Sequence, residues 1–163
     1  MLKKIFIGLL VIIIVLQFIR PAKNRMEIPG TYGIGKQYPV PVNVVSILEK
    51  ACYDCHSNTT RYPWYNNIQP VGWWLNNHIK KGKGELNFSE FGNYSFAKQA
   101  KKLHKVAKEV KEGGMPLNSY TWIHRDAILN EDDKTALVNW AEGLSKQIAT
   151  VHNIDMSKKV PKS

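Results

Sequence analysis

Cys52, Tyr53, Asp54, Cys55 and His56 bring the chain's two cysteines three positions apart, with a histidine directly after the second. This Cys-x-x-Cys-His form suits covalent attachment of a c-type haem. Each thiol can add across a porphyrin vinyl group, and the adjoining imidazole then lies under the iron as its proximal ligand. Other chemistry uses similar pairs. A thioredoxin-like dithiol needs a βαβ setting, whereas the flanking residues here read as helix. A structural zinc site needs four ligands, and His78, His104, His124 and His152 include no closely spaced pair to complete one. A simple disulfide is the third alternative. One motif and no internal repeat predict one haem per chain.

Several elements must position this motif. With 163 residues, 44% of them hydrophobic, the chain can build one domain. A helix is expected from about Asn43, capped by its side chain, with Val44, Ile47, Leu48 and Ala51 on one face, so that it delivers Cys52 at its end. Residues 57–69 are polar and aromatic and read as a loop. A second helix is expected from Pro70 to about Lys81, stopped by Gly82 and Gly84, with Val71, Trp74, Leu75, His78 and Ile79 facing inward. In the third, Phe96, Ala100, Leu103, Ala107 and Val110 form the buried stripe and Gly113-Gly114 the stop. Its opposite face carries Lys98, Lys101, Lys102, Lys105 and Lys108, expected in solvent. The last starts after Asn130, with Leu137, Trp140, Ala141, Leu144 and Ile148 buried. No strand pattern stands out. The expected fold is therefore all-α, with about four helices.

The first twenty residues differ in character. Lys3 and Lys4 precede an uncharged run from Ile5 to Ile19, closed by Arg20. As a helix this run spans about 22 Å, against a bilayer core of about 30 Å, and the flanking cations can snorkel. The residues around Ala22 lack the small pair that signal cleavage requires, so residues 1–20 are expected to be an uncleaved transmembrane anchor rather than a cleaved signal. Residues 21–41, with Pro21, Pro29, Pro39 and Pro41, read as a Pro/Gly-rich tether, residues 42–150 as the haem-binding domain, and residues 151–163 as a basic tail. A c-type haem places the domain on the periplasmic or extracytoplasmic side of a bacterial cytoplasmic membrane. The net charge of +10 suits an acidic redox partner or anionic lipid better than nucleic acid, which such a domain does not meet.

The order of parts resembles class I cytochrome c: a helix running into Cys-x-x-Cys-His, a later Met-Pro loop and a terminal helix with an aromatic inner face. More closely, Ala51 to Asn58, Trp64-Tyr65, Leu86-Asn87-Phe88-Ser89, Met115-Pro116 and Tyr120-Thr121 resemble a small bacterial family of haem-binding domain proteins, over about residues 42–147. The resemblance implies a cytochrome c-like fold, Cys52 and Cys55 as thioether anchors and His56 as proximal ligand. It implies Met115 as the sixth ligand, and Pro70 as the proline whose carbonyl accepts a hydrogen bond from the proximal histidine. Met115 follows Gly113-Gly114 and precedes Pro116, which presents its thioether on a defined loop. His78, His124, His104 or an open position are the alternatives. Arg61, Tyr62, Trp64, Trp74, Tyr120 and Trp122 are candidate donors to the haem propionates. One-electron transfer is the expected function, which makes an electron carrier rather than an enzyme. The competing readings are a haem enzyme or a gas or peroxide sensor with an open distal position, and a non-haem zinc or disulfide interaction domain.

Overall fold

The computed structural model describes residues 1–26 and 30–158. Its helices are α1 (Leu2–Leu16), α2 (Ile34–Gln37), α3 (Val42–Ala51), α4 (Tyr53–His56), α5 (Val71–Glu85), α6 (Phe96–Lys111), α7 (Asn118–Thr121) and α8 (Glu131–Val151), joined in places by 3-10 turns at Trp64–Asn67, Phe88–Asn93 and Arg125–Ala127. Among the described residues there is no strand, only an isolated antiparallel bridge between Arg25 and Thr59. The fold is all-α.

The centre of the domain is the pair α6 and α8. Ser95 caps α6 by accepting from the Lys98 amide, and Asn130 caps α8 by accepting from Asp133, with three acidic residues in the first turn of α8. Ala100, Leu103, Ala107 and Val110 meet Leu137, Val138, Ala141, Leu144 and Ile148 in the core. The alanines let the two backbones come close, and Ser145 Oγ donates to the Ala100 carbonyl across the contact at 2.7 Å. Phe96, expected at the start of the buried stripe, is instead half exposed and stacks on His152. α3 lies on α8, burying Val44, Ile47 and Leu48, with Lys50 paired to Asp133 at 2.7 Å. Its cap position is held by Pro41, so Asn43 falls inside the first turn and does not cap.

Two expected boundaries change. The stretch read as a tether is folded onto the body: Ile34 belongs to the core, Tyr38 and Val40 pack against it, and Asn24 is bonded to Ser57, Thr60 and Tyr62. The Asn24 backbone amide donates to the Tyr62 hydroxyl, and its side-chain amide donates to the Ser57 carbonyl and the Thr60 hydroxyl. Glu27 to Pro29, and the part of the basic tail from residue 159, lie outside the described residues. α5 runs through Gly82 and Gly84 to Glu85 rather than ending before them. A Cβ at Gly82 would lie 2.7 Å from the Cys55 carbonyl oxygen, so this glycine marks a close approach of helix to motif and not a stop. On the same helix Leu75 and Ile79 are buried, but Val71 and Trp74 are exposed.

The expected transmembrane anchor finds no support in the length of the first helix. α1 has 15 residues, and among the described residues no helix is long and apolar enough to cross a membrane. The helix ends because Gln17 turns onto the body, where its side chain accepts from the Gln69 amide at 2.9 Å and donates to the Gln69 carbonyl at 3.3 Å.

Candidate cofactor site

α3 breaks at Cys52, and a single turn carries the chain through the motif: the amides of Cys55 and His56 both reach the Cys52 carbonyl, at 3.2 and 2.9 Å. Cys52, Cys55 and His56 line one cavity of about 390 Å³, within the usual range for small-molecule sites. α5 forms one wall with His78, Gly82 and Glu85, α6 another with Lys102, Val106 and Val110, and the third comes from Met115, Pro116, Leu117 and Tyr120.

His56 Nδ1 lies 3.0 Å from the Leu86 carbonyl oxygen. A carbonyl only accepts, so Nδ1 carries the proton and Nε2 keeps its lone pair for a metal. Burial pushes the imidazole pKa down, which favours the neutral, ligating form. The Leu86 carbonyl is presented there because the Leu86 amide closes α5 on Gly82 at 2.9 Å. Pro70 does not have the expected role. Its carbonyl accepts from the Trp74 amide in the first turn of α5, and the His56 ring is held from the C-terminal end of that helix, not its start.

The thiols are free and half-buried, and burial raises their pKa values to about 12 for Cys52 and about 11 for Cys55. They are neutral thiols in a helical setting, unlike the low-pKa thiolate of a thiol-exchange pair. Among the described residues no group of three or more His, Cys, Asp or Glu is placed to hold a metal ion, so the zinc alternative finds no ligand set.

Met115 reaches the cavity from a short loop. Gly113, at φ 71°, turns the chain after α6, and the amides of Gly114 and Met115 both donate to the Glu109 carbonyl, at 2.8 and 3.2 Å. His78 also lines the cavity, with Nδ1 bonded to the Trp74 carbonyl at 2.9 Å. His104 is exposed, and His124 is turned away, bonded to the Tyr65 hydroxyl and stacked on Tyr120. The structure thus gathers Cys52, Cys55, His56, Met115 and His78, and leaves out Pro70, His104 and His124.

Of the candidate propionate donors, only Tyr120 lines the cavity. Arg61 is turned to Asp54, Tyr62 accepts from the Asn24 amide, Trp74 covers His78, and Trp64 and Trp122 are exposed. Sequence reading missed the cations that are present. Lys102 and Lys105, expected in solvent, line the cavity and share one oxygen of Glu85 at 3.3 and 3.2 Å. The available signal was the spacing of Lys102, Val106 and Glu109 along the edge of the buried stripe of α6.

Asp54, between the cysteines, was missed too. It is buried and accepts from the Arg61 amide at 3.0 Å, Arg61 Nε at 3.2 Å and the Tyr120 hydroxyl at 2.7 Å. The Tyr120 pKa is raised by its own burial and by this bond to Asp54. A second network joins Asn58 to Asn87 and Glu90, both at 2.7 Å, and to Ser89 at 3.0 Å, so the residues after the motif are locked to those after α5.

A family model described as a haem-binding domain matches residues 11–143. Comparisons with curated proteins and with solved structures give no match. The donor set fits haem: an imidazole with a free Nε2, two neutral thiols, a thioether and a hydrophobic wall converge on one cavity. With the match covering most of its length, the chain belongs to the haem-binding domain family.

Proposed function

We propose that this is a monohaem c-type, cytochrome c-like protein that transfers single electrons. Cys52 and Cys55 would hold the haem through thioethers formed by addition of their S–H across its vinyl groups, and His56, through Nε2, and Met115 would be the ligands offered to its iron. The observation that carries this reading is that all four side chains line one cavity while the Leu86 carbonyl occupies His56 Nδ1. The haem supplies a one-electron couple. The chain's part is to keep His56 neutral and fixed, to present Met115 from a loop tied to the end of α6, and to exclude water with Leu86, Val106 and Val110.

The presence of His78 in the same cavity supports a second reading, in which Met115 does not ligate and the distal position is open or taken by His78. That reading would suit an enzyme or a gas or peroxide sensor. Met115→Ala separates the two. It is expected to convert a six-coordinate low-spin spectrum, to open the ferrous protein to carbon monoxide, and to lower the midpoint potential by on the order of 0.1 V, within the span that axial ligands control. An unchanged spectrum and potential would remove Met115 from the iron.

The apolar α1, flanked by Lys3 and Lys4 and by Arg20, supports attachment to a bacterial cytoplasmic membrane with the haem domain on its outer side. The net charge of +10 supports an acidic redox partner.

A further inference from the structure

Beyond Lys3 and Lys4 in its first turn α1 is apolar on every side, and all its residues from Leu2 to Val15 are exposed. A helix that met a protein partner would show one apolar stripe; one apolar all round calls for a surrounding apolar medium. Its exit is tied to the body by hydrogen bonds. Gln17 and Gln69 exchange two hydrogen bonds, and Trp73 Nε1 donates to the Ile19 carbonyl at 2.8 Å. Wherever α1 enters lipid, the surface around Gln69 must therefore lie at the lipid boundary. That surface is unusually apolar for an exposed one: within five residues of Gln69, Trp64 is 76% exposed, Ile68 46%, Val71 39% and Trp74 46%. Indole rings are the side chains that prefer the headgroup level.

The two stretches of chain that meet on this side carry only basic charges. Residues 1–26 carry five Lys or Arg and residues 55–84 carry four, with no Asp or Glu in either stretch. The two stretches are neighbours in space, joined by the Arg25–Thr59 bridge, by the Thr60 amide on the Asn24 carbonyl at 3.0 Å, and by Lys83 Nζ on Asn24 Oδ1 at 2.7 Å. The acidic residues of the described chain, from Glu49 and Asp54 to Glu85 and beyond, lie outside both stretches. Asp54 pairs with Arg61 and Glu90 with Asn58, but the other eight cations of the two stretches have no ion pair among the salt bridges of the described residues. An exposed aromatic patch beside them is complementary to anionic headgroups.

We propose that Trp64, Ile68, Val71 and Trp74 form a lipid-docking face that seats the haem domain directly on an anionic membrane surface, next to the point where α1 enters it. This rests on the membrane attachment of α1 proposed above. A directly seated domain differs from one swinging on a free tether, because its cavity keeps a fixed height and orientation over the bilayer.

Hydroxyl-radical footprinting of the haem-loaded full chain in nanodiscs containing phosphatidylglycerol tests it, with Ile68→Glu/Val71→Glu as the comparison protein. Both replaced side chains are exposed, and equal haem content in the two proteins verifies the fold. Trp64 and Trp74 are expected to react about five-fold more slowly in the unmodified protein than in the variant, while Phe96 reacts alike in both. Equal reactivity of Trp64 and Trp74 in the two proteins, with the side chains of α1 protected in each, would overturn the docking face and leave α1 in lipid. Unprotected α1 side chains in both would instead overturn the membrane attachment itself.

Discussion

Gly82→Ala is expected to abolish covalent haem attachment and to lower the unfolding free energy by about 3 kcal/mol. The added Cβ would stand 2.7 Å from the Cys55 carbonyl oxygen and 3.2 Å from the Cys55 carbonyl carbon and Cβ. Two of these atoms are backbone and the third is fixed to it, so no side-chain rotation relieves the clash. α5 must move off the motif, taking with it the Leu86 carbonyl that holds His56. A glycine in a helix interior costs about 1 kcal/mol relative to alanine, so at a position without such contacts the same change is favourable. Gly84, two residues on, has nothing within 4 Å of its would-be Cβ. Gly84→Ala should therefore keep its haem and gain up to about 1 kcal/mol. Denaturant unfolding and a haem stain of the two variants, side by side, read both effects.

Asp54→Ala is the second large effect, expected to cost about 2–3 kcal/mol and to loosen Met115. Asp54 is buried, and its removal leaves the Arg61 amide without its acceptor and the Tyr120 hydroxyl with only the Lys50 carbonyl at 3.4 Å. The ion pair itself contributes a small part, because the Arg61 side chain is 64% exposed and well screened. Arg61→Ala should accordingly cost under about 1 kcal/mol, and Tyr120→Phe about 1 kcal/mol. The functional consequence comes from where the two partners sit. Asp54 stands between the cysteines, and Tyr120 follows the Met115–Pro116 loop, so the 2.7 Å bond straps the Cys-x-x-Cys-His turn to the segment that carries Met115. Carbon monoxide is expected to bind ferrous Asp54→Ala faster than the unmodified protein, and Arg61→Ala no faster.

The long helices were legible in the sequence because their signals are local. Asn130 followed by three acidic residues marks the start of α8, and the 3.6-residue spacing of Ala100, Leu103, Ala107 and Val110 marks the buried face of α6. Haem as the cofactor, expected from a local motif, agrees with the family match. What failed was whatever depends on a partner distant in sequence. Ile34 sits among prolines and glycines with no period to reveal it, yet it is a core residue because the segment returns to pack beside Phe88 and Phe91. Gly82 carries the composition of a helix stop, and only the nearness of Cys55 explains why the helix continues through it. The acceptor for His56 is a backbone carbonyl, which every residue possesses, so no residue type could distinguish Leu86 from Pro70. Lys102 and Lys105 show the limit of a helical wheel. It separates buried from exposed, but it does not say which exposed side chains face solvent and which face a cavity.

The covalent tie between cysteine and haem is the claim on which the redox reading stands, and a pyridine haemochrome spectrum taken after acid–acetone extraction measures it directly. Protein made with haem-maturation machinery is expected to retain one haem per chain with the band positions of two saturated vinyl groups. Cys52→Ala should shift those bands to a single thioether, and Cys52→Ala/Cys55→Ala should lose the haem to the solvent. Haem that extracts completely from the unmodified protein would contradict the account.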